Sequence, residues 1–169
     1  RTLPSLLEEA RHLADDGVRE LTLVAQDTTA WGRDLGGHVA DLLGALCTVE
    51  GLAWIRVLYA HPRGLDDRFL DALAAGPPVL PYLDVPVQHA SSRVLRAMGR
   101  GIDRATQERA LARLRACVPG VTVRSTVMVG FPGETDADVE ELLDFVRTPR
   151  FERLGVFRFY PEEGTRSAA

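Results

Sequence analysis

Helical stripes and short apolar runs alternate along this chain, with strand-like runs beginning near Glu20, Trp54, Val79, Val121 and Leu154. The mean step of roughly 33 residues is the size of one βα unit. The first segment is helical: Leu3, Leu6, Leu7, Ala10, Leu13 and Ala14 recur at helical spacing, Pro4 suits the first turn and Gly17 the carboxyl cap. Residues 21–25 then form a run that is apolar on both faces, as a buried parallel strand should be. Further helical stripes fall on Val39, Leu42, Leu43 and Leu46; on Phe69, Leu70 and Leu73; on Val94, Leu95 and Met98; on Ala110, Leu111 and Leu114; and on Val139, Leu142, Leu143 and Val146. Arg100-Gly101 separates the third and fourth of these, and Thr135 and Asp138 are spaced like a capping box. Strands are expected over residues 54–60, 79–87, 121–129 and 154–160. The order α(βα)4β predicts an α/β fold with five parallel strands and right-handed crossovers. Pro81 and Pro86 each remove a ladder donor, so the third strand should be short, over residues 82–85, or irregular at both ends.

Composition narrows the function. A chain of 169 residues, 46% hydrophobic, can bury one core, but it falls short of the ~250 residues of a complete eight-unit barrel. A net charge of −4 leaves no broad electrostatic footprint for nucleic acid. All 20 cations are arginine, which excludes a Walker-type lysine, a Schiff-base lysine and a lysine general base. The two cysteines, Cys47 and Cys117, exclude a disulfide framework and an all-cysteine cluster built from this chain alone. Each sits on or ends an apolar stripe and is expected to be a small core residue. No apolar run approaches the ~18 residues that span a membrane, and no signal peptide opens the chain, so a single soluble cytoplasmic domain is expected.

Parallel sheets bind ligands at the carboxyl ends of their strands. Here those ends carry Gln26-Asp27-Thr28-Thr29, His61-Pro62-Arg63, Gln88-His89-Ala90-Ser91-Ser92, the turn over residues 130–135 and the segment 160–165, whereas the opposite turns are plain. Each has a bland reading beside the functional one. Gln26, Asp27 and Thr28 suit a simple turn, and His61 suits a turn residue before Pro62. Gln88 and His89 are neighbours whose side chains must face opposite ways, so one of them can face the interior. The turn over 130–135 is either a tight strand-to-helix turn capped by Thr135 or a cradle of N–H groups for a carboxylate or phosphate. The second reading makes the chain a stand-alone anion- or nucleotide-binding module. Arg124 interrupts an apolar strand and is expected to be buried against a protein or ligand carboxylate. His12 and His38 read as surface residues, and Trp31 and Arg33 as residues packed over the rim. Arg96, Arg100, Arg104, Arg109, Arg113 and Arg115, with Asp103 and Glu108 between them, read as a solvated face.

Four stretches taken in order carry a resemblance: AQDTTAWG at 25–32, LPYLDVPVQHASSRVLRAMGRG at 80–101, VRSTVMVGFPGET at 123–135 and VFRFYPEEGT at 156–165. The chain resembles the radical S-adenosylmethionine methylthiotransferases over residues 1–165. The Gln-Asp-Thr at 26–28 favours the branch that modifies an aspartate of a small-subunit ribosomal protein over the tRNA-modifying branch, in which Asn usually follows the Gln.

The resemblance implies a TIM-like partial barrel of six βα units, incomplete here because the family's first strand and its CxxxCxxC loop are missing. Residues 1–169 would then be a core truncated on its amino-terminal side, inactive by itself. The implied cofactors are S-adenosyl-L-methionine and a [4Fe–4S] cluster, with no metal ligand and no catalytic residue assigned in this chain. Reductive cleavage of the cofactor would give a carbon radical that abstracts hydrogen before a methylthio group is inserted. Position within the motifs assigns Gln26 and Asp27 to the methionyl amino group, Gln88 to the ribose or methionyl part and Arg124 to the methionyl carboxylate. It assigns Val129 and Gly130, with Phe159 and Tyr160, to the adenine. The implied partner is a small-subunit ribosomal protein, with no membrane and no direct nucleic-acid contact from this segment. The strand beginning at Glu20 becomes an unpaired, association-prone edge.

Overall fold

The computed structural model describes residues 1–165. Five parallel strands form one sheet in the order β1-β2-β3-β4-β5. They are β1 (Glu20–Leu23), β2 (Trp54–Val57), β3 (Val79–Asp84), β4 (Thr122–Val129) and β5 (Arg153–Arg158). Six helices alternate with them: α1 (Leu3–Asp15), α2 (Val39–Leu46), α3 (Asp67–Ala74), α4 (Ser92–Ala97), α5 (Arg104–Cys117) and α6 (Asp136–Arg147). Sequential order equals spatial order, so each crossover moves one step along the sheet, as in a winding barrel wall.

Helix ends follow local chemistry. Asp66 caps α3 by accepting from Phe69 N at 2.9 Å, and Asp103 caps α5 by accepting from Thr106 N at 2.8 Å. The capping box of α6 is present, with Thr135 N donating to Asp138 Oδ2 at 2.9 Å. His38 departs from its expected surface role. Its Nδ1 caps α2 by accepting from Ala40 N at 3.1 Å, and its Nε2 lies 2.8 Å from Asp66 Oδ2. One imidazole thus joins the starts of α2 and α3.

The two faces of the sheet differ. Ile55, Val57, Leu83, Val123 and Val127 pack against helix residues that include Leu43, Phe69, Leu114 and Phe145, and this layer is the core. Because side chains alternate along a strand, the residues between them face the opposite, concave side. Arg56, Tyr82, Asp84, Arg124, Thr126 and Phe157 lie there. No helix covers them, so polar side chains are tolerated in otherwise apolar strands.

Several strands end earlier than their apolar runs. β2 stops at Val57, and residues 58–60 bend over the rim. β3 keeps Pro81, and its ladder to β2 shifts register between Ile55 and Val57, which accommodates the missing donor; Pro86 lies beyond the strand. Among the described residues β1 pairs only with β2, and β5 only with β4, so both are edges of this sheet. On β5, Val156 is 61% and Phe157 57% exposed. The two cysteines end α2 and α5 as free, exposed residues rather than core ones, because each lies past the last buried turn of its helix.

Candidate functional site

The strand ends build a cavity of about 310 Å3 on the concave side. Gln26 enters from the β1 end, Tyr59 and His61 from the loop after β2, and Asp84 and Gln88 from β3 and its extension. Arg124 and Thr126 rise from β4, Phe157 from β5 and Arg100 from the loop between α4 and α5. Two rim residues hold left-handed backbone without being glycine: Tyr59 at φ 56° and Gln88 at φ 66°. Such conformations persist only where surrounding contacts over-determine them, and they concentrate at functional sites.

Asp84 is the most unusual group. It is 1% exposed, its Oδ1 has no hydrogen-bond partner, and its Oδ2 accepts only a long bond of 3.4 Å from Tyr59 N. Arg124 Nε lies 3.9 Å from Oδ1, too far for a hydrogen bond. Burial pushes the Asp84 carboxyl above the ordinary carboxylate range, and Arg124 only partly opposes this. An unsatisfied buried carboxylate oxygen is costly, so the cavity is ready for a donor from outside the chain.

Arg124 itself is not buried, contrary to the sequence expectation: 43% of its side chain is exposed. The apolar residues around it in sequence, Val123 and Val127, face the helices, while Arg124 faces the open side. Its guanidinium makes no hydrogen bond within the described residues. Arg100, assigned by sequence to a solvated face, instead reaches the cavity and donates to Pro86 O at 2.7 Å, leaving Nε buried without a partner. The other arginines of that stretch behave as expected. Arg104 pairs with Glu108 and Asp144, Arg113 with Asp67 and Arg115 with Glu152.

The remaining sequence candidates separate. Asp27 accepts from Thr29 N at 3.0 Å and from His61 N at 3.3 Å, so its Oδ1 ties two rim loops together rather than lining the cavity. Gln88 faces the cavity, and its neighbour His89 turns away. His89 is fully buried; its Nδ1 accepts from Ser91 N at 2.9 Å, and its Nε2 lies 3.5 Å from Glu134 Oε1. Val129 ends β4, and its carbonyl accepts from Phe159 N at 2.8 Å. Gly130 follows at φ 77°. Phe159 meets Phe131 edge-on, with ring centroids 5.2 Å apart. Tyr160 is 70% exposed with Arg158 over its ring, and it does not line the cavity.

The turn over 130–135 does not form an anion cradle. Phe131 N donates to Glu134 Oε2 at 2.9 Å, so the turn is filled by its own carboxylate, and the anion-module reading loses its site. No three of His, Cys, Asp and Glu converge as metal ligands among the described residues. Asp84 and Arg100 were the residues hidden from sequence reading. The available signal was a carboxylate on the same strand face as Tyr82, in a run otherwise apolar.

Comparison with known proteins gives a consistent picture. The model of the radical SAM superfamily matches residues 1–146. A protein of Anaeromyxobacter sp. (strain Fw109-5), named ribosomal protein uS12 methylthiotransferase RimO, is 49% identical over 99% of this chain and 36% of its own length. The protein of the same name from Moorella thermoacetica is 47% identical over 100% of this chain and 40% of its own. The chain therefore spans well under half the length of these relatives. Among solved structures, the radical SAM enzyme coproporphyrinogen III oxidase (HemN) from Escherichia coli overlays with a TM-score of 0.75 at 22% identity, covering 95% of this chain and 37% of that one. Streptococcus suis SuiB bound to S-adenosylmethionine overlays at 0.68 and 14% identity, covering 99% and 36%. At these identities the overlays speak for the fold.

Proposed function

The chain belongs to the radical SAM superfamily, and from that premise we propose that it is the S-adenosylmethionine-binding core of an enzyme that methylthiolates an aspartate of ribosomal protein uS12. The observation that carries the reading is the cavity's set of polar groups: a buried carboxylate with one oxygen unpartnered, two guanidinium groups and two strand-end amides around one space. The methionyl end of S-adenosylmethionine is a zwitterion and needs such mixed polarity. Gln26 and Gln88 suit the ammonium, and a cavity guanidinium suits the carboxylate. Val129 and Gly130 at the end of β4 meet Phe159 just past β5, outside the cavity lining, and we assign them to the adenine. Asp27 holds the rim loops in register, and Tyr160 takes no part in this assignment.

When bound, S-adenosylmethionine and a [4Fe–4S] cluster would supply the reductive, hydrogen-abstracting chemistry. No residue of this chain is assigned to the cluster, since Cys47 and Cys117 end separate helices. The work of these residues is to bind and orient. A ribosomal-protein substrate implies a cytoplasmic enzyme, and no helix among the described residues is long and apolar enough to cross a membrane.

The test is anaerobic turnover of the reconstituted full-length enzyme with uS12 and, separately, with tRNA, read by mass spectrometry. The mass gain of one methylthio group on a uS12 aspartate is expected. A gain on tRNA and none on uS12 would overturn the reading in favour of the tRNA-modifying branch.

A further inference from the structure

Two arginines line the cavity, Arg100 and Arg124, and a third, Arg153, stands beside Arg124 on the neighbouring strand. Arg124 is the register partner of Asp84 on one side and of Arg153 on the other. Partners in register share a face, so Arg124 and Arg153 lie side by side on the concave surface. Like charges directly opposite on adjacent strands are unfavourable. Neither guanidinium has a hydrogen bond within the described residues, and Asp84 stands 3.9 Å from Arg124. The remaining concave arginine, Arg56, is already paired with Glu20 at 2.7 Å.

Depth separates this pair from the cofactor residues. Gln88 bridges to Val127, three residues beyond Arg124 on β4, which is about 10 Å further along the strand. Arg100 hangs from a rim loop at that upper level, bonded to Pro86 O. Arg100 is thus the guanidinium beside Gln26 and Gln88, and Arg124 is the one beneath them.

We infer that Arg124, with Arg153 beside it, forms the subsite for the side-chain carboxylate of the residue to be modified, while Arg100 takes the cofactor carboxylate. This rests on the reading that the substrate is an aspartate of a protein. In an aspartate one methylene lies between the carboxylate and the backbone, so anchoring the carboxylate from below fixes the reacting carbon one bond away and turns it toward the cofactor above. Asn is uncharged and forfeits the charge-assisted bonds to this arginine pair, so the subsite prefers Asp.

The test uses the full-length protein with S-adenosylmethionine present and compares binding of a uS12-derived peptide carrying Asp with its Asn version. Wild type is expected to prefer Asp at least tenfold, and Arg124→Gln to lose that preference with S-adenosylmethionine affinity changed less than threefold. Arg100→Gln should do the reverse, weakening S-adenosylmethionine at least tenfold and keeping the Asp preference. Equal binding of both peptides by wild type, or an Asp preference that survives Arg124→Gln, would overturn the inference. So would a tenfold loss of S-adenosylmethionine affinity in Arg124→Gln. Binding is read without turnover, so a failure of uS12 methylthiolation counts against the proposed function alone.

Discussion

Asp138 shows how much one side chain can organise. Its carboxylate accepts from Ser91 Oγ at 2.6 Å, from Thr135 N at 2.9 Å, from Thr135 Oγ1 at 2.6 Å and from Arg93, joining the start of α4 to the start of α6. These bonds, with Ser91 the largest contributor, hold its pKa far below the ordinary carboxylate value of 3.8. A depressed folded-state pKa contributes stability that is fully present above the unfolded value and is lost as pH falls through the folded one. Asp138→Asn should therefore lower the urea midpoint at pH 7, and the gap from wild type should begin to close only as pH drops below 3.8. A gap that stays constant from pH 7 to pH 2 would show that charge has no part in it. The capping box at this position was legible because Thr135 and Asp138 have the right spacing and chemistry. The bonds to Ser91 and Arg93 were not, because they close over more than forty residues of chain.

At the scale of elements, alternation in the sequence carried the fold: every helical stripe became a helix, and every apolar run gave a strand. What it could not carry was which face of a strand is covered. Arg124 looked buried because its sequence neighbours are apolar, yet Val123 and Val127 face helices and Arg124 faces the cavity. Arg100 was misread for the converse reason, since an arginine in a basic stretch resembles its solvated neighbours until the loop turns it inward. β5 shows the cost of an uncovered face. Val156 is 61% exposed on the helix side, on an edge strand with a free row of backbone groups. Val156→Lys should reduce concentration-dependent association in sedimentation velocity while changing stability by no more than about 0.5 kcal/mol. Association that persists unchanged would place the sticky edge elsewhere, with β1 the next candidate.

For the whole molecule, the sheet acts as a partition. Its convex side is a packed core with Phe69 and Phe145 fully buried, and its concave side is a polar cavity assembled from five strand ends and a loop. A ligand that touches several of these elements stabilises them together. S-adenosylmethionine at 100 times its dissociation constant adds about 2.7 kcal/mol to the folded state. For a domain of this size that raises the melting temperature by about 5–10 °C. Arg100→Gln should largely abolish the shift at the same ligand concentration. An equal shift in wild type and variant would remove Arg100 from the cofactor site.

The same partition gives the two cysteines a practical use. Cys47 and Cys117 end helices of the outer layer and are exposed, so the sheet stands between them and the cavity. A nitroxide or dye on each would form a ruler across the back of the wall, supplied by the native sequence. Any flattening or tightening of the curved sheet as its cavity fills would be read as a change in label separation, with the binding residues themselves left untouched.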